Sequence, residues 1–233
     1  MKARLALTTP FVLVAVLLLV AVPAHAGPIV IDQSFTLGLS DHGYIFRSNQ
    51  YAQTLTVGLT GFMTGIDLAI GRAGVGDLVV SILRTTTDGL PNDVAELAIT
   101  TLPASYWPEP NAPNPEAYRH VAFSPFAVKF GDLLAINVRL ASSESLSDVF
   151  YWYGTGGPDG EDYYTDGQAF SCSDCEDPLG HWTSMVSNHG RAIDFAFVSY
   201  VDLDTEAVPD PGSSLLLLGI SLTGMGVWRQ RRQ

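Results

Sequence analysis

Between apolar stretches at its two ends, the chain runs in short hydrophobic–polar alternations broken by turn residues. Segments 31–37, 51–59, 62–70, 78–84, 94–102, 118–123, 133–140, 149–153 and 192–201 alternate or are β-branched, and read as strands. Gly, Pro, Asn and Asp gather between them, at 58–65, 71–76, 87–92 and 154–160, where residues of unusual or fixed φ turn the chain. Outside the termini no amphipathic run is long enough for a helix of about ten residues. Many short strands, with a turn every ~8–12 residues, predict an all-β fold, an antiparallel β-sandwich or jelly roll. No repeat of fixed period is present. Segment 103–115 holds five prolines and predicts an extended surface excursion.

The ends follow different rules. Lys2 and Arg4 open a positive zone, 11–22 is an unbroken apolar run, and Ala24 and Ala26 place small residues where a signal peptidase reads. Segment 1–26 is therefore expected to be a secretory signal cut after Ala26; the run is shorter than the ~20 residues of a membrane span. At the other end, Pro209 and Pro211 hold an extended segment. Residues 213–228 are uncharged and mostly apolar, and Arg229, Arg231 and Arg232 follow. Positive charge behind an apolar segment marks the cytoplasmic side, so 213–228 predicts a short transmembrane helix that stops transfer. The organisation expected is signal 1–26, domain 27–204 and tail 205–233.

Removing the ends sharpens the charge. Of 12 basic residues seven lie in 27–204, and of 24 acidic ones 22 do, so the domain sits near −15. Nucleic acid as a partner is excluded, because neutralising phosphates needs a basic footprint. Two cysteines, Cys172 and Cys175, stand three apart. In an oxidising compartment such a pair predicts a disulfide; reactive thiols and a metal site are the alternatives, and zinc would want two further ligands.

Catalytic motifs are absent. The chain has no Gly-x-Ser-x-Gly, no His-Glu-x-x-His and no Gly-rich phosphate loop. His42, His120, His181 and His189 are scattered, and the carboxylates fall mainly in turns, which speaks against a glycosidase pair. No catalytic residue is assigned, and a non-enzymatic protein without a cofactor is expected. Two patterns carry binding chemistry. Asp159, Asp162, Asp166 and Asp174 lie in a Gly-rich acidic stretch that could hold Ca²⁺ through oxygen ligands, with a solvated loop as the alternative. On a strand at 150–153, alternation puts Tyr151 and Tyr153 on one side and Phe150 and Trp152 on the other. An exposed pair there, with Trp182 or Trp107 nearby, could stack on a sugar; filling the core is the alternative.

Val208-Pro209-Asp210-Pro211, the apolar segment and the basic end together resemble the PEP-CTERM sorting signal. In that family a Val-Pro-Glu-Pro motif precedes a short hydrophobic helix, and Asp210 stands where Glu is usual. The resemblance implies processing by an exosortase, a membrane transpeptidase-like enzyme, in a Gram-negative bacterium that makes exopolysaccharide. Runs 53–58, 68–72, 79–91 and 194–201 are similar in pattern to bacterial extracellular sandwich domains related in style to carbohydrate-binding modules. The reading that follows is an exported, non-enzymatic surface or matrix protein. A carbohydrate-binding module acting on exopolysaccharide is the alternative, and a glycan hydrolase the third.

Overall fold

A computed structural model describes residues 27–36, 41–46, 48–109, 117–142, 148–156, 163–173, 175, 181–186 and 192–203. Among them the chain forms thirteen strands. These are β1 (Ile29–Phe35), β2 (Asp41–Ile45), β3 (Gln50–Thr56), β4 (Gly61–Arg72), β5 (Leu78–Thr85), β6 (Pro91–Leu102), β7 (Tyr118–Val128), β8 (Leu133–Leu140), β9 (Phe150–Gly156), β10 (Ala169–Cys172), β11 (Thr183–Ser184), β12 (Ile193–Phe195) and β13 (Phe197–Asp202). All pair antiparallel, in two sheets. One has the order β1-β13-β4-β9-β12, with β2 on β9 and β7 on β4; the other runs β11-β10-β3-β8-β5-β6.

The core follows from alternation. In β8 the side chains of Leu134, Ile136, Val138 and Leu140 are buried, and β5 supplies Leu78, Val80 and Ile82 at its own alternate positions. From the other sheet come Met63, Ile66, Leu68 and Ile70 of β4, with Phe150 and Trp152 of β9 and Phe195 and Phe197. The two inward rows merge into one hydrophobic cluster, which is a sandwich-type arrangement. In β4 the spacing slips between Met63 and Ile66. The pairing register with β7 shifts at that point, between Met63 and Gly65, so a bulge restores inward aim to the second half of the strand.

Two turns rest on glycine. Gly89 (φ 79°) closes the β5–β6 hairpin, and Gly131 (φ 85°) turns the chain from β7 in one sheet to β8 in the other, a left-handed backbone that other residues reach only with strain. Asp132 reinforces the second turn by accepting the Lys129 N–H at 2.9 Å.

Three expectations are corrected. The strand expected over 192–201 is two strands, because Ala196 leaves the ladder where the chain passes from β9 to β4. Its N–H donates to the Tyr153 carbonyl at 2.9 Å, and its carbonyl accepts the Trp152 indole N–H at 3.1 Å. The turn clusters at 58–65 and 154–160 begin or continue inside strands, since Gly61 and Gly65 belong to β4 and Gly154 and Gly156 to β9. The proline-rich excursion is folded inward at its start. A 3-10 turn at Ala104–Tyr106 delivers Trp107 into the core at 2% exposure, and Arg72 holds it there through the Trp107 carbonyl at 3.0 Å. Strands β2, β10 and β11 were not expected. They carry little hydrophobic pattern of their own and form by pairing, β2 with β9, β10 with β3, and β11 with β10.

Candidate functional site

β9 sets up the aromatic face as alternation predicts. Phe150 and Trp152 are fully buried, and Trp152 stacks on Phe195 with centroids 4.6 Å apart. Tyr151 and Tyr153 point to the opposite side and are partly exposed. Register brings β2 beside them, pairing His42 with Tyr153 and Tyr44 with Tyr151. Four rings therefore share one surface: His42 lies 4.6 Å from Tyr44 and 5.5 Å from Tyr151, and Tyr44 lies 5.4 Å from Tyr151. All three contacts are edge-on, the favoured geometry for rings packed on one another. Tyr44 is the most open, at 47% exposure. Gly71 completes the surface: a Cβ there would meet the Tyr153 hydroxyl at 2.9 Å, so the tyrosine covers the glycine.

Trp182 does not join them. It packs over Ala52, Leu83, Ala135 and Phe170 on the outer side of the other sheet, and its indole N–H donates to Asp93 at 3.1 Å. Trp107, buried, is no neighbour either. The sequence grouped aromatic residues that the fold distributes between two opposite outer faces and the core.

A third cluster escaped sequence reasoning. Asp67 on β4 faces His120 on β7 across the ladder. One carboxylate oxygen meets His120 Nδ1 at 2.7 Å, and the other accepts the Tyr200 hydroxyl at 2.7 Å. That bond, then burial and the Asp67 charge, push the Tyr200 phenol up to about 12. Tyr200 is accordingly held protonated to higher pH than an ordinary tyrosine. Residues so far apart in the chain offer no local motif; only strand register joins them.

Cys172 and Cys175 form a disulfide, with Cα atoms 5.8 Å apart. Of the candidate Ca²⁺ ligands, Asp166 is in a turn where its carbonyl accepts both the backbone N–H and the hydroxyl of Thr56, each at 2.9 Å. Asp159, Asp162 and Asp174 lie outside the described residues. Among the described residues no group of three His, Cys, Asp or Glu side chains could hold a metal ion. Ala24, Ala26, the motif 208–211, the apolar segment 213–228 and Arg229, Arg231 and Arg232 also lie outside them. No helix among the described residues is long and apolar enough to cross a membrane.

Comparison with known families resolves the tail. Residues 207–232 match the VPDSG-CTERM motif. Its name spells Asp at the third position, so Asp210 is the motif's own residue rather than a replacement for Glu. Gly212 also fits, and Pro211 stands where the name has Ser. The match is of the PEP-CTERM kind of sorting signal and implies export and handling by an exosortase-like system. It spans the tail alone. No curated protein matches the chain.

Proposed function

We propose that this chain is an exported, non-enzymatic surface or matrix protein, a jelly-roll sandwich displayed through its C-terminal signal. The observation that carries the reading is the match of 207–232 to a sorting motif. That segment combines an apolar run with a terminal cluster of arginines. The tail first anchors the chain in the membrane, signal peptidase having removed 1–26. An exosortase-type transpeptidase then processes the tail and releases the domain to the cell surface or matrix of a Gram-negative bacterium. An acidic domain near −15 suits that environment, since like charge keeps exported copies soluble. The non-enzymatic reading is supported by the sequence, which has no Gly-x-Ser-x-Gly, His-Glu-x-x-His or Gly-rich phosphate-loop motif.

The test is replacement of Arg229, Arg231 and Arg232 by Gln in the native host. Fractionation and immunoblotting should show the triple variant escaping retention and keeping an unprocessed C-terminus. Wild-type sorting and processing of that variant would overturn the reading.

A second reading, carbohydrate binding to exopolysaccharide, is favoured by the outward Tyr151 and Tyr153 with His42 and Tyr44 beside them. Such rings present apolar faces with polar rims, as saccharide stacking requires.

A further inference from the structure

The outer face of the six-stranded sheet carries a groove of about 310 Å³. Gln50 of β3, Asn137 and Arg139 of β8, Ser81 and Leu83 of β5, and Asp93 and Glu96 of β6 line it, with Cys175 of the disulfide. A groove of this size lies at the small end of the ~300–1,000 Å³ typical of small-molecule sites.

One atom makes it more than a gap between side chains. Asn137 is only 3% exposed, and its Nδ2 donates to Gln50 Oε1 at 3.1 Å. Its Oδ1 is buried with no hydrogen-bond partner. A buried amide oxygen left unsatisfied carries an uncompensated desolvation penalty, and on a residue that lines the groove a ligand's donor would relieve it. Asn137 also stands mid-strand, directly opposite Ser81 in the register, where an apolar residue would continue the Ala52, Leu83 and Ala135 patch beside it.

The remaining groups define the ligand. Asp93 uses one carboxylate oxygen for the Trp182 indole, which fixes this wall of the groove to the apolar patch. Its other oxygen and the Glu96 carboxylate accept; the Arg139 guanidinium donates. A ligand must therefore both donate and accept at closely spaced points, as adjacent hydroxyls do. A cation fits poorly, because Arg139 stands in the same wall. A polyanion fits poorly too, because two carboxylates face it from a domain near −15.

We propose that this groove binds a neutral saccharide, a hydroxyl of which donates to Asn137 Oδ1. As to ligand class it rests on the carbohydrate reading above, but on none of that reading's residues.

The test is retention of the purified full chain on immobilised dextran, amylose and cellulose, with alginate as the anionic comparator. Asn137→Leu should weaken retention about tenfold or more, the loss of a hydrogen bond to a buried acceptor. Arg139→Gln, at a partly exposed position, should weaken it without changing the melting temperature, which covers the case in which Asn137→Leu fails to fold. A Tyr151→Ala/Tyr153→Ala pair, on the other outer face, separates the groove from the rings of the carbohydrate reading. Undiminished binding by folded Asn137→Leu, or by Arg139→Gln, overturns the groove. Loss only in the tyrosine pair overturns the groove and keeps the carbohydrate reading on the other face. Retention on alginate alone, or on none of the four polymers, overturns the neutral-saccharide site.

Discussion

The outer faces of the two sheets handle polar and aromatic groups in opposite ways. On the seven-stranded sheet the aromatic and Asp67 clusters complete themselves, while Asp32 and Asp202 elsewhere in that sheet each keep one buried oxygen unmet. His42, Tyr44 and Tyr151 pack edge to edge, Tyr153 covers Gly71, and Asp67 serves His120 and Tyr200 with its two oxygens. On the six-stranded sheet the apolar part is sealed by Trp182, but beside it Asn137 keeps a buried acceptor unmet. A self-satisfied cluster is a stabilising surface. An incomplete one lowers its energy when something binds. Richness in tyrosine, the feature most visible in the sequence, is thus a weaker pointer to a site than one amide oxygen without a partner.

Both faces depend on the core between them, so the largest effect expected is there. Trp152→Ala removes a fully buried ring stacked on Phe195 and should cost about 3–5 kcal/mol. Tyr151→Ala, one residue away on the outer face, should cost about 1 kcal/mol, the worth of edge-on ring contacts. Urea denaturation of the two variants measures the difference, and equal losses would mean that the outer rings are part of the core. A middle effect is expected at Gln53, which joins the sheets. Its Oε1 accepts the Phe195 N–H at 2.8 Å, and its Nε2 donates to Asp194 at 3.2 Å, all within the buried interior. Gln53→Ala should lose about 1–3 kcal/mol by withdrawing those partners from buried groups. A loss near zero would show that the bridge between the faces is dispensable.

The smallest effect is a titration. With its phenol raised to about 12, Tyr200 in the folded chain holds its proton where an unfolded chain, near 10, has lost it. The stability it contributes is therefore intact below pH 10 and is lost as pH rises toward 12. Burial raises Tyr51 and Tyr164 as well, so tyrosinate absorbance should show several late-titrating residues, and Asp67→Asn should move one of them, Tyr200, back toward 10. An unchanged titration in that variant would break the claim that Asp67 holds the phenol.

Much of the fold was legible because alternation and turn chemistry are local. The run at 133–140 coincides with β8, and the inward and outward assignment of residues 150–153 follows from pleating alone. The short strands were not legible, for a physical reason. β2 reads Asp-His-Gly-Tyr-Ile, and Gly43, which weakens any strand pattern, is needed because a Cβ there would meet the Phe195 ring at 2.7 Å. The candidate sites divide in the same way. Cys172 and Cys175 are near in the chain, and their pairing was expected. Asp67, His120 and Tyr200 are not, nor are Gln50, Asp93 and Asn137.

By itself the sequence determined the all-β class, most strand positions, the disulfide, the acidity of the domain and the sorting motif of the tail. Each depends on residues within one turn, one strand or one short contiguous segment. Tertiary structure alone decided that Trp107 is core, that Trp182 and the tyrosines occupy opposite faces, and that the Asn137 amide oxygen lacks a partner. Those facts depend on which strands lie side by side. Side-by-side placement is set by the shared burial of distant hydrophobic rows, which no local pattern records.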